Sequence, residues 1–543
     1  MKVLIIGGVA AGTKTAAKIK REMGDNCSVT ILNKGDDISY AGCGLPYYVG
    51  KIIEDKSSLI VNTPESFSKL TGAEVRCGVE VTSIDRNEKQ VTLKTLSTGE
   101  KENLSYDKLV IATGADPIKP PIPGIDLPGV FFMRTPNDAI KLRDSIENGI
   151  KRAVVIGGGF IGLEIAENLS AMGIRVSVVD MAEHVMPGFD TDFAEYVENH
   201  MADKGIMIFT GDQVIGIEGE NKVEKLRTKN RAIKTDLVVM SVGIRPNTGF
   251  LKDTGLEFAP NNTIIADEYM LTNDKDIYAV GDCAFVKNSL TNKPTWSPMG
   301  SSANHEGRIC AQNISGKSKT YNGVLGTTVV KLPELNAGKT GLSKEIAEKE
   351  GYNVCSVTIA TDDKAHYYPG ASNFIIRMVA EKNTRKLLGV QVMGPGAVDK
   401  IVDIAATAIT LGADLYSLES MDLAYAPPFS TAIHPFVVAV NVLQNKLNGE
   451  LDSVLLDEIE DFDSWTKLDV SKAPSIPSLR YIPVGEINGE IEGLAKDEKI
   501  LLICAKGKNS YMAQNRLRRF GYTNTKVLEG GILFYPNLKV MEE

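Results

Sequence analysis

Two segments of the chain share one pattern, and this pattern constrains the fold more than any other feature. In each segment a short apolar run leads into a glycine-rich turn, Gly7-Gly8-Val9-Ala10-Ala11-Gly12 in the first and Gly157-Gly158-Gly159-Phe160-Ile161-Gly162 in the second. A helical stretch follows each turn, and a second apolar run follows each helix, at residues 28–32 and 175–179. Each segment is therefore predicted to open a doubly wound parallel sheet.

The second turn predicts a nicotinamide nucleotide site. Gly157, Gly159 and Gly162 give the complete Gly-x-Gly-x-x-Gly spacing, and Asp180 ends the following strand. A carboxylate in that place accepts both ribose hydroxyls, so NADH is expected. Arg175 begins the same strand and gives no clear argument for NADP, although NADPH is left open.

The first turn departs from the pattern, because Val9 replaces the middle glycine and Asn33 stands where an acid is usual. Asn33 and Lys34 are still able to hydrogen-bond a ribose. Two later segments support a dinucleotide site here, residues 106–114, which end in Ala112-Thr113-Gly114, and residues 277–282, which end in Gly281-Asp282.

These four segments, in this order, resemble the two-dinucleotide flavoprotein disulfide reductases over residues 1–445. The resemblance implies FAD at the first turn, with Asp282 at the flavin's ribityl–phosphate region. The residues expected to contact the cofactors are Gly7, Gly8, Ala11, Gly12, Asn33, Lys34, Ala112, Thr113, Gly114, Gly157, Gly159, Phe160, Ile161, Gly162, Asp180, Gly243, Gly281, Asp282 and Ala303.

The composition sets outer limits on the function. A chain of 543 residues exceeds one hydrophobic core, so several domains are expected. The net charge of -9 argues against a nucleic-acid partner, and no apolar run approaches the ~20 residues that span a membrane. Seven scattered cysteines predict reduced thiols in the cytoplasm, and no metal site is expected.

We predict an α/β protein with two doubly wound dinucleotide-binding domains, an α+β dimerisation domain and a small α/β rhodanese-like domain. The alternating stretches 373–379 and 387–392 predict an antiparallel sheet, followed by a helix at 398–411. The predicted boundaries are 1–110 with 271–320 for FAD, 111–270 for NAD(P), 321–445 for dimerisation, 446–463 for an acidic linker and 464–543 for the last domain.

Cys43 is the candidate redox residue. It lies in Ser39-Tyr40-Ala41-Gly42-Cys43-Gly44-Leu45-Pro46-Tyr47, and the flanking glycines would let a flavin and a substrate approach closely. Glutathione-reductase-like proteins carry two neighbouring cysteines here, whereas Cys27 and Cys77 are far away in this sequence. A single thiol must cycle through a mixed disulfide, a persulfide or a sulfenic acid.

The stretch around Cys43 resembles the coenzyme A disulfide reductases and the coenzyme A persulfide or polysulfide reductases. Residues 366–370 and 422–430 resemble their tyrosine signatures. The resemblance places Tyr367 and Tyr425 of a partner subunit near Cys43, where a phenol can protonate a leaving thiolate. Gly42 departs from the asparagine that is frequent in this family. His434 is expected to be structural, because Ala439 replaces the glutamate that supports a catalytic histidine.

Coenzyme A carries phosphates, so its site needs cations. Lys14, Lys18 and Arg21 share one face of the first helix. A solvated basic face is the alternative explanation. By the resemblance, the substrate-binding residues are Lys14, Lys18, Arg21, Ser39, Gly42, Phe67, Lys69, His305 and Arg308.

The segment 500–510 consists of a strand, Cys504, a glycine-containing loop and a basic helix. Together with Gly530-Gly531 it resembles a rhodanese domain, in which such a cysteine carries a persulfide. Backbone N–H groups and the helix dipole lower the pKa of a thiol in this place. Asn509 stands where arginine is usual and the domain looks shortened, so a sulfur carrier and a relic both stay open.

The sequence therefore predicts a homodimeric reductase that uses FAD and NADH to reduce coenzyme A persulfide, polysulfide or coenzyme A disulfide. Cys43, Tyr367, Tyr425 and Cys504 are the expected catalytic residues. One alternative is an NADH oxidase or peroxidase in which Cys43 cycles as a sulfenic acid. Another is a sulfur-trafficking or redox-sensing carrier.

Overall fold

The computed structural model describes residues 1–539 of the chain. The chain forms two compact units. The first comprises Met1–Pro187 and Met201–Val324, and the second comprises Gly188–His200 and the chain from Leu325 onward. In the sequence, the change from the second unit to the first, between His200 and Met201, falls inside the helix Thr191–Asp203.

The first unit begins with a parallel sheet of five strands. Their order is Ile277–Ala279, Lys108–Ile111, Lys2–Ile6, Ser28–Leu32 and Glu74–Arg76. The pairing of the first two strands brings the segments 1–110 and 271–320 into one sheet. The small antiparallel sheet Val79–Asp85, Gln90–Thr95 and Lys101–Ser105 covers one face, where Leu4 and Ile6 are buried.

The opposite face of this sheet is covered by two long helices, Ala10–Met23 and Gly300–Ile314. They approach closely at Gly307, where an added Cβ would lie 2.6 Å from the carbonyl oxygen of Ala11. The first helix starts at Ala10, because the glycine turn feeds directly into helical backbone. Two shorter helices, Leu45–Val49 and Pro64–Thr71, lie in the connections.

The first unit contains a second parallel sheet. Its order is Met207–Phe209, Arg175–Val179, Arg152–Ile156, Leu237–Met240 and Val130–Phe132. Its helices are Pro136–Glu147 and Phe160–Ala171. Antiparallel additions are Val214–Glu218 with Lys225–Thr228 and Ala232–Lys234, Ala115–Pro117 with Ile244–Pro246, and Val286–Lys287 with Pro294–Thr295. The two parallel sheets confirm the predicted doubly wound architecture.

The second unit is built on an antiparallel sheet. Its order is Thr328–Leu332, Leu335–Gly341, Leu387–Gly394, Asn373–Glu381 and Val354–Asp362. The helices Lys344–Lys349, Val398–Thr410, Leu415–Leu418 and Pro435–Leu447 complete it. At its centre the buried guanidinium of Arg377 pairs with Asp190 and Asp192, so the segment 188–200 is bound to the sheet by charge.

The chain ends in a parallel sheet, in the order Ser453–Val454, Thr525–Leu528, Ile500–Ile503, Thr466–Asp469 and Arg480–Tyr481. The helices Lys508–Arg519 and Gly531–Phe534 belong to it. The segment 446–463, predicted as a linker, starts inside the helix Pro435–Leu447 and contains the edge strand Ser453–Val454. The acidic composition of this segment gave no indication of the two-residue strand, because the strand depends on long-range pairing with Thr525–Leu528.

Glu529 joins this last sheet to the antiparallel sheet. One of its carboxylate oxygens accepts the backbone N–H of Thr358 at 2.7 Å. The other accepts from Lys446 at 2.5 Å and from the hydroxyl of Ser453 at 2.7 Å. The Glu529 side chain is only 2% exposed, so this carboxylate is both buried and fully partnered.

Replacing Glu529 by alanine is therefore expected to lower the free energy of unfolding by about 3 kcal/mol or more, because it leaves buried donors without their acceptor. Urea denaturation of the full chain measures the loss. The pair between Lys344 and Glu458 is more exposed, so Glu458→Gln should cost less than about 1 kcal/mol. Similar losses for both variants would contradict the expectation.

Candidate functional site

The two glycine turns have the same internal construction. A Cβ on Gly7 would lie 2.1 Å from the carbonyl oxygen of Ala112, and one on Gly157 would lie 2.2 Å from that of Ser241. Both glycines also have positive φ, +107° and +110°. No other residue type fits either place. Each turn therefore brings a helix N-terminus against the carboxyl edge of its sheet.

The strand-end residues Asn33 and Asp180 make the same contact in the two turns. Asn33 Oδ1 accepts the N–H of Gly8 at 3.0 Å, and Asp180 Oδ2 accepts that of Gly158 at 2.6 Å. The Asn33 amide group donates to the carbonyl oxygens of Gly35 and Asp37, so its donors are used within the loop. The structure thus gives Asn33 a loop-organising contact that the sequence did not indicate.

The second turn fits a dinucleotide. Gly159 has open space where a Cβ would stand, so backbone N–H groups are accessible to a phosphate. Asp180 is held in place by Gly158 and by the N–H of Ala182 at 2.8 Å. Ile161 and Met181 are both exposed apolar side chains next to this turn. The backbone N–H groups suit a pyrophosphate, and the Asp180 carboxylate suits a ribose.

The first turn shares its sheet edge with the second flavin-type segment. Asp282 Oδ2 pairs with the guanidinium of Arg134 at 2.7 Å, and the same guanidinium borders Gly114. Ala303 lies buried beside Gly281. Backbone donors, a carboxylate and a cation therefore meet at one edge, which fits a dinucleotide such as FAD. Arg134 could not be predicted from the sequence, because its partner lies 148 residues away.

Two predicted contacts are occupied by protein groups. Lys34 pairs with Glu80 at 2.7 Å on the surface. Gly243 lies in a turn of positive φ, and its carbonyl oxygen accepts the N–H of Ile118. Lys34 and Gly243 still belong to the segments for which the sequence predicted cofactor contacts.

Cys43 lies in a single turn, Gly42–Gly44, directly before the helix Leu45–Val49. Of the seven cysteines, all within the described residues, it alone is exposed. Close surroundings nevertheless desolvate its thiol, and this burial raises the pKa of Cys43. Glu164 and Asp282 raise that pKa further and Arg134 lowers it. Cys43 therefore lies within electrostatic range of both dinucleotide-type segments.

Tyr47 and Glu164 form a pair beside Cys43 that the sequence did not reveal. The Tyr47 hydroxyl donates to Glu164 Oε1 at 3.1 Å. Burial raises the pKa of Tyr47, and the negative charge of Glu164 raises it further. This pair links the helix that follows Cys43 to the helix that follows the second glycine turn.

Glu306 is a buried carboxyl beneath Asp282. Its Oε2 accepts the N–H of Gly281 at 2.6 Å, and its side chain lies in the helix Gly300–Ile314. Burial raises the pKa of Glu306 to about 8, and Asp282 adds to the shift. The carboxyl is therefore largely protonated at neutral pH.

The basic face predicted to bind coenzyme A is only partly free. Lys18 pairs with Glu22 at 2.5 Å, and Lys317 also contacts Glu22. Lys14 lies where the helix Ala10–Met23 meets Gly307, so it is near the helix that carries His305 and Arg308, both exposed. Arg21 and Lys69 are exposed as well. The two helices thus bring several cations to one surface.

Three other predicted substrate residues differ in their exposure. Phe67 is only 4% exposed and packs in the hydrophobic core with Ile19 and Ile38, so its ring is not accessible to a ligand. Ser39 adopts a φ of +49°, and its hydroxyl accepts from the Asn62 amide at 3.4 Å. Gly42 faces open space.

In the second unit, Tyr367 and Tyr425 lie together. A hydrogen bond between their hydroxyls raises the pKa of Tyr425, and both rings are exposed. His434 caps the helix Pro435–Leu447 by accepting the N–H of Phe436, and burial lowers its pKa to about 4. This contact agrees with the structural role predicted for His434.

Cys504 ends the strand Ile500–Ile503 and is 3% exposed. The backbone N–H of Ser510 donates to its Sγ at 3.4 Å, so the loop turns a donor toward the sulfur. Within residues 1–539 the hydroxyl of Ser510 is buried and has no hydrogen-bond partner. Gly507 begins the helix with a φ of +83°.

The fold and the site together define an oxidoreductase with two dinucleotide-binding domains and one exposed cysteine. Models of known families match the chain in three consecutive parts. They are the pyridine nucleotide-disulphide oxidoreductase at residues 1–301, its dimerisation domain at 327–436 and a rhodanese-like domain at 441–534. The chain belongs to the pyridine nucleotide-disulphide oxidoreductase family, which implies FAD and a nicotinamide nucleotide as cofactors.

Individual relatives agree with this assignment. The NAD(P)H sulfur oxidoreductase (CoA-dependent) of Pyrococcus furiosus is 36% identical over 445 residues, which cover 82% of this chain and 99% of the relative. The crystal structure of reduced Bacillus anthracis CoADR-RHD has a TM-score of 0.94 at 34% identity and covers 100% of this chain and 98% of its own. A NAD-dependent persulfide reductase from A. fulgidus also has a TM-score of 0.94, at 36% identity, covering 98% and 100%.

No helix among residues 1–539 is both long and apolar enough to cross a membrane.

Replacing Glu306 by glutamine is expected to stabilise the protein at pH 8 but not at pH 4. The folded carboxyl titrates near 8 and the unfolded one near 4.5, so wild-type stability falls as pH rises between these values. Glutamine keeps the contact to Gly281 without this loss, and the gain at pH 8 should be roughly 2–4 kcal/mol. Urea denaturation at both pH values measures it.

Glu22→Gln is the matched control with the opposite sign. Lys18 and Lys317 lower the pKa of Glu22 to about 2, so its charge stabilises the folded state above the ordinary pKa of a glutamate. This variant should lose stability at pH 8. An unchanged difference between Glu306→Gln and wild type from pH 4 to pH 8 would show that Glu306 is not buried as a neutral acid.

Proposed function

We propose that this chain is a dimeric, cytoplasmic reductase that uses NADH and FAD to reduce coenzyme A persulfide, polysulfide or coenzyme A disulfide at Cys43. The observation that carries the proposal is the position of Cys43. It is the exposed cysteine, and its thiol interacts electrostatically with Asp282 of the flavin-type segment and with Glu164 of the nicotinamide-type helix. A thiol in this place suits electron transfer between the two cofactors and a sulfur substrate.

Bound FAD supplies the two-electron relay between the nicotinamide ring and the thiol. The residues of the second turn, with Asp180 at the ribose, would hold the nucleotide. Those of the first turn, together with Asp282 and Arg134, would hold FAD. The open space at Gly42 and Gly159 supports close approach of ligands to the backbone.

Cys43 acts on the substrate as a thiolate nucleophile. It attacks the inner sulfur of coenzyme A persulfide, or either sulfur of the disulfide, and a hydrosulfide or thiolate leaves with the bonding electrons. Cys43 is then joined to coenzyme A as a mixed disulfide. The neighbouring pair of Tyr47 and Glu164 lies on the same side of the subunit as Cys43.

The tyrosine pair suggests how a second subunit contributes. Tyr367 and Tyr425 are 66% and 49% exposed, although aromatic side chains are usually covered. Tyr368, Phe429 and Ile433 are exposed as well. In a dimer these side chains would be covered, and the hydroxyls of the partner subunit's Tyr367 and Tyr425 would protonate the leaving thiolate.

Coenzyme A is proposed as the carrier because of charge and because of the relatives. Lys14, Lys18, Arg21, Lys69 and Arg308 would supply positive charges for its phosphates, and His305 would supply a hydrogen-bonding group. The names of the relatives from Pyrococcus furiosus and Pyrococcus horikoshii specify coenzyme A. A coenzyme A disulfide reductase of Staphylococcus haemolyticus is 28% identical.

The last domain is proposed to carry sulfane sulfur on Cys504. The Ser510 N–H and the buried Ser510 hydroxyl supply hydrogen-bond donors for a sulfur anion there. Lys446, Ser453 and Glu529 hold this domain against the antiparallel sheet, so Cys504 has a fixed place in its unit.

Replacing Cys43 by serine is expected to abolish NADH-dependent reduction of coenzyme A persulfide and disulfide, because the hydroxyl forms no mixed disulfide. The yellow flavin and its bleaching by NADH should persist, since neither requires the thiol. Anaerobic stopped-flow spectra measure the bleaching, and release of sulfide or free thiol measures turnover.

Cys355→Ser is the control, because that thiol is only partly exposed and lies in the antiparallel sheet. Wild-type turnover in Cys43→Ser would refute the role of Cys43. Oxygen consumption that exceeds sulfur reduction in the wild type would favour the NADH oxidase alternative, to which a water-forming NADH oxidase of Lactobacillus brevis with a TM-score of 0.79 is relevant.

Asp180 is expected to set the preference for NADH. Replacing it by alanine removes charge-assisted bonds to the ribose and should weaken NADH by roughly 1–3 kcal/mol. Asp180→Asn separates the charge from the turn geometry, because an amide oxygen still accepts the N–H of Gly158. The concentration dependence of flavin bleaching gives the affinities. Faster bleaching of the wild type by NADPH than by NADH would overturn this assignment.

A further inference from the structure

The charge at the Cys504 loop depends on a residue outside the loop. The side chains of the loop include two cations, Lys506 and Lys508, while the neutral Asn509 follows them. Lys506 Nζ forms an ion pair with Asp362 Oδ1 at 2.6 Å. Asp362 belongs to the antiparallel sheet, not to the last domain, so a neighbouring domain sets the charge at this loop.

The position of Asp362 follows from how the two sheets are joined. Thr358 donates its N–H to Glu529 and accepts the N–H of Gly530 at 3.0 Å. The turn at Gly530 and Gly531 continues to Ile532, whose N–H donates to the carbonyl oxygen of Cys504 at 3.1 Å. The strand Val354–Asp362 therefore contacts the Gly530–Gly531 turn through Thr358. At the end of the same strand, the Asp362 carboxylate contacts Lys506 of the Cys504 loop.

The side chains in this contact are partly buried, so solvent screens the pair less than it screens a fully exposed one. Lys506 is 32% exposed and Asp362 is 35% exposed. The charge of Lys506 is compensated, and Lys508 is left as the remaining cation of the loop. Lys508 attracts an anionic donor to Cys504, and the charge of Asp362 weakens the attraction of the loop in proportion to the charge of the donor. The contribution of Asp362 therefore disfavours a dianion twice as strongly as a monoanion.

We propose that Asp362 is a specificity-determining residue for the Cys504 site, and that it selects sulfane donors whose reacting end carries one negative charge over the thiosulfate dianion. A persulfide anion has such a singly charged end. This inference rests on the proposed function, in which Cys504 carries sulfur, and it assigns the class of donor.

The transfer step is the same for every donor. The Cys504 thiolate attacks the outer, sulfane sulfur, a bond forms between the two sulfur atoms, and the sulfur–sulfur bond of the donor breaks with its electron pair on the leaving group. Thiosulfate releases sulfite, and a persulfide releases its thiolate. The products are Cys504 persulfide and an anion of the same charge as the donor, so no further oxidant or reductant is needed.

Two donors of similar shape and different charge test the proposal. Thiosulfate is a dianion and methanethiosulfonate, CH₃SO₂S⁻, is a monoanion. Full-length protein is assayed without NADH, with cyanide as the sulfur acceptor and thiocyanate as the product. The rate of Cys504→Ser is subtracted to remove sulfur transfer at other thiols.

Four proteins form a series of charge at the loop. Asp362→Asn adds one positive charge relative to wild type, Lys506→Met removes one, and the double variant restores the wild-type sum. For Asp362→Asn we expect kcat/KM to rise about tenfold with thiosulfate and about threefold with methanethiosulfonate, because the logarithm of the effect scales with donor charge. Lys506→Met should lower both in the same proportion, and the double variant should resemble wild type.

Asp463→Asn is the matched control. This carboxylate also pairs with a lysine, Lys467, but it precedes the strand Thr466–Asp469, whereas Cys504 follows the carboxyl end of the neighbouring strand Ile500–Ile503. It should change neither rate. If Asp362→Asn does not fold, Lys506→Met alone still tests whether the change is larger for the dianion than for the monoanion.

Equal changes for the two donors, or no change in any variant, would overturn the proposal. Thiocyanate formation that is independent of Cys504 would overturn it too, together with the carrier role of the last domain. None of these results bears on NADH-dependent reduction at Cys43, which is measured separately with coenzyme A substrates. Failure of one assignment is therefore distinguishable from failure of the other.

Discussion

Close contact between a helix N-terminus and the strand end behind it is the constraint on which both dinucleotide-binding sheets depend. A Cβ on Gly12 would lie 1.9 Å from the carbonyl oxygen of Gly7, and one on Gly162 would lie 2.0 Å from that of Gly157. These distances exclude any side chain. The same contact directs each helix dipole toward the carboxyl edge of its sheet, where the nearby segments place their polar groups. This close backbone contact is therefore the reason that Asp282, Arg134 and the segment around Cys43 lie near one another.

Local patterns predicted the architecture and the opening strands and helices of the two parallel sheets, because glycine spacing and apolar periodicity are properties of short segments. The pairs that shape the site were not predictable in this way. Arg134 meets Asp282, Tyr47 meets Glu164 and Gly281 meets Glu306 only after the chain has folded back. The linker prediction at 446–463 was made on composition, and the edge strand at Ser453–Val454 exists through pairing with a segment far along the chain.

Ionic contacts in the second unit join parts that the sequence presents as independent. Arg377 binds the segment 188–200 through two aspartates, and Glu529 connects two sheets through three donors. Buried charges of this kind are costly unless every partner is present. They therefore favour one arrangement of the last domain in its unit. Cys504 is presented by a fixed surface, so a donor must diffuse to it.

The middle position of the glycine turn is the one at which the backbone leaves room for a side chain. In the second turn Gly159 borders open space, whereas Gly157 and Gly162 are confined by backbone atoms. A substitution at that position meets no packing barrier, and Val9 at the corresponding place in the first turn is such a change. A glycine turn can thus carry a side chain at its ligand-facing position while the backbone still requires glycine at the other two, and a sequence motif that requires all three glycines overlooks such a turn.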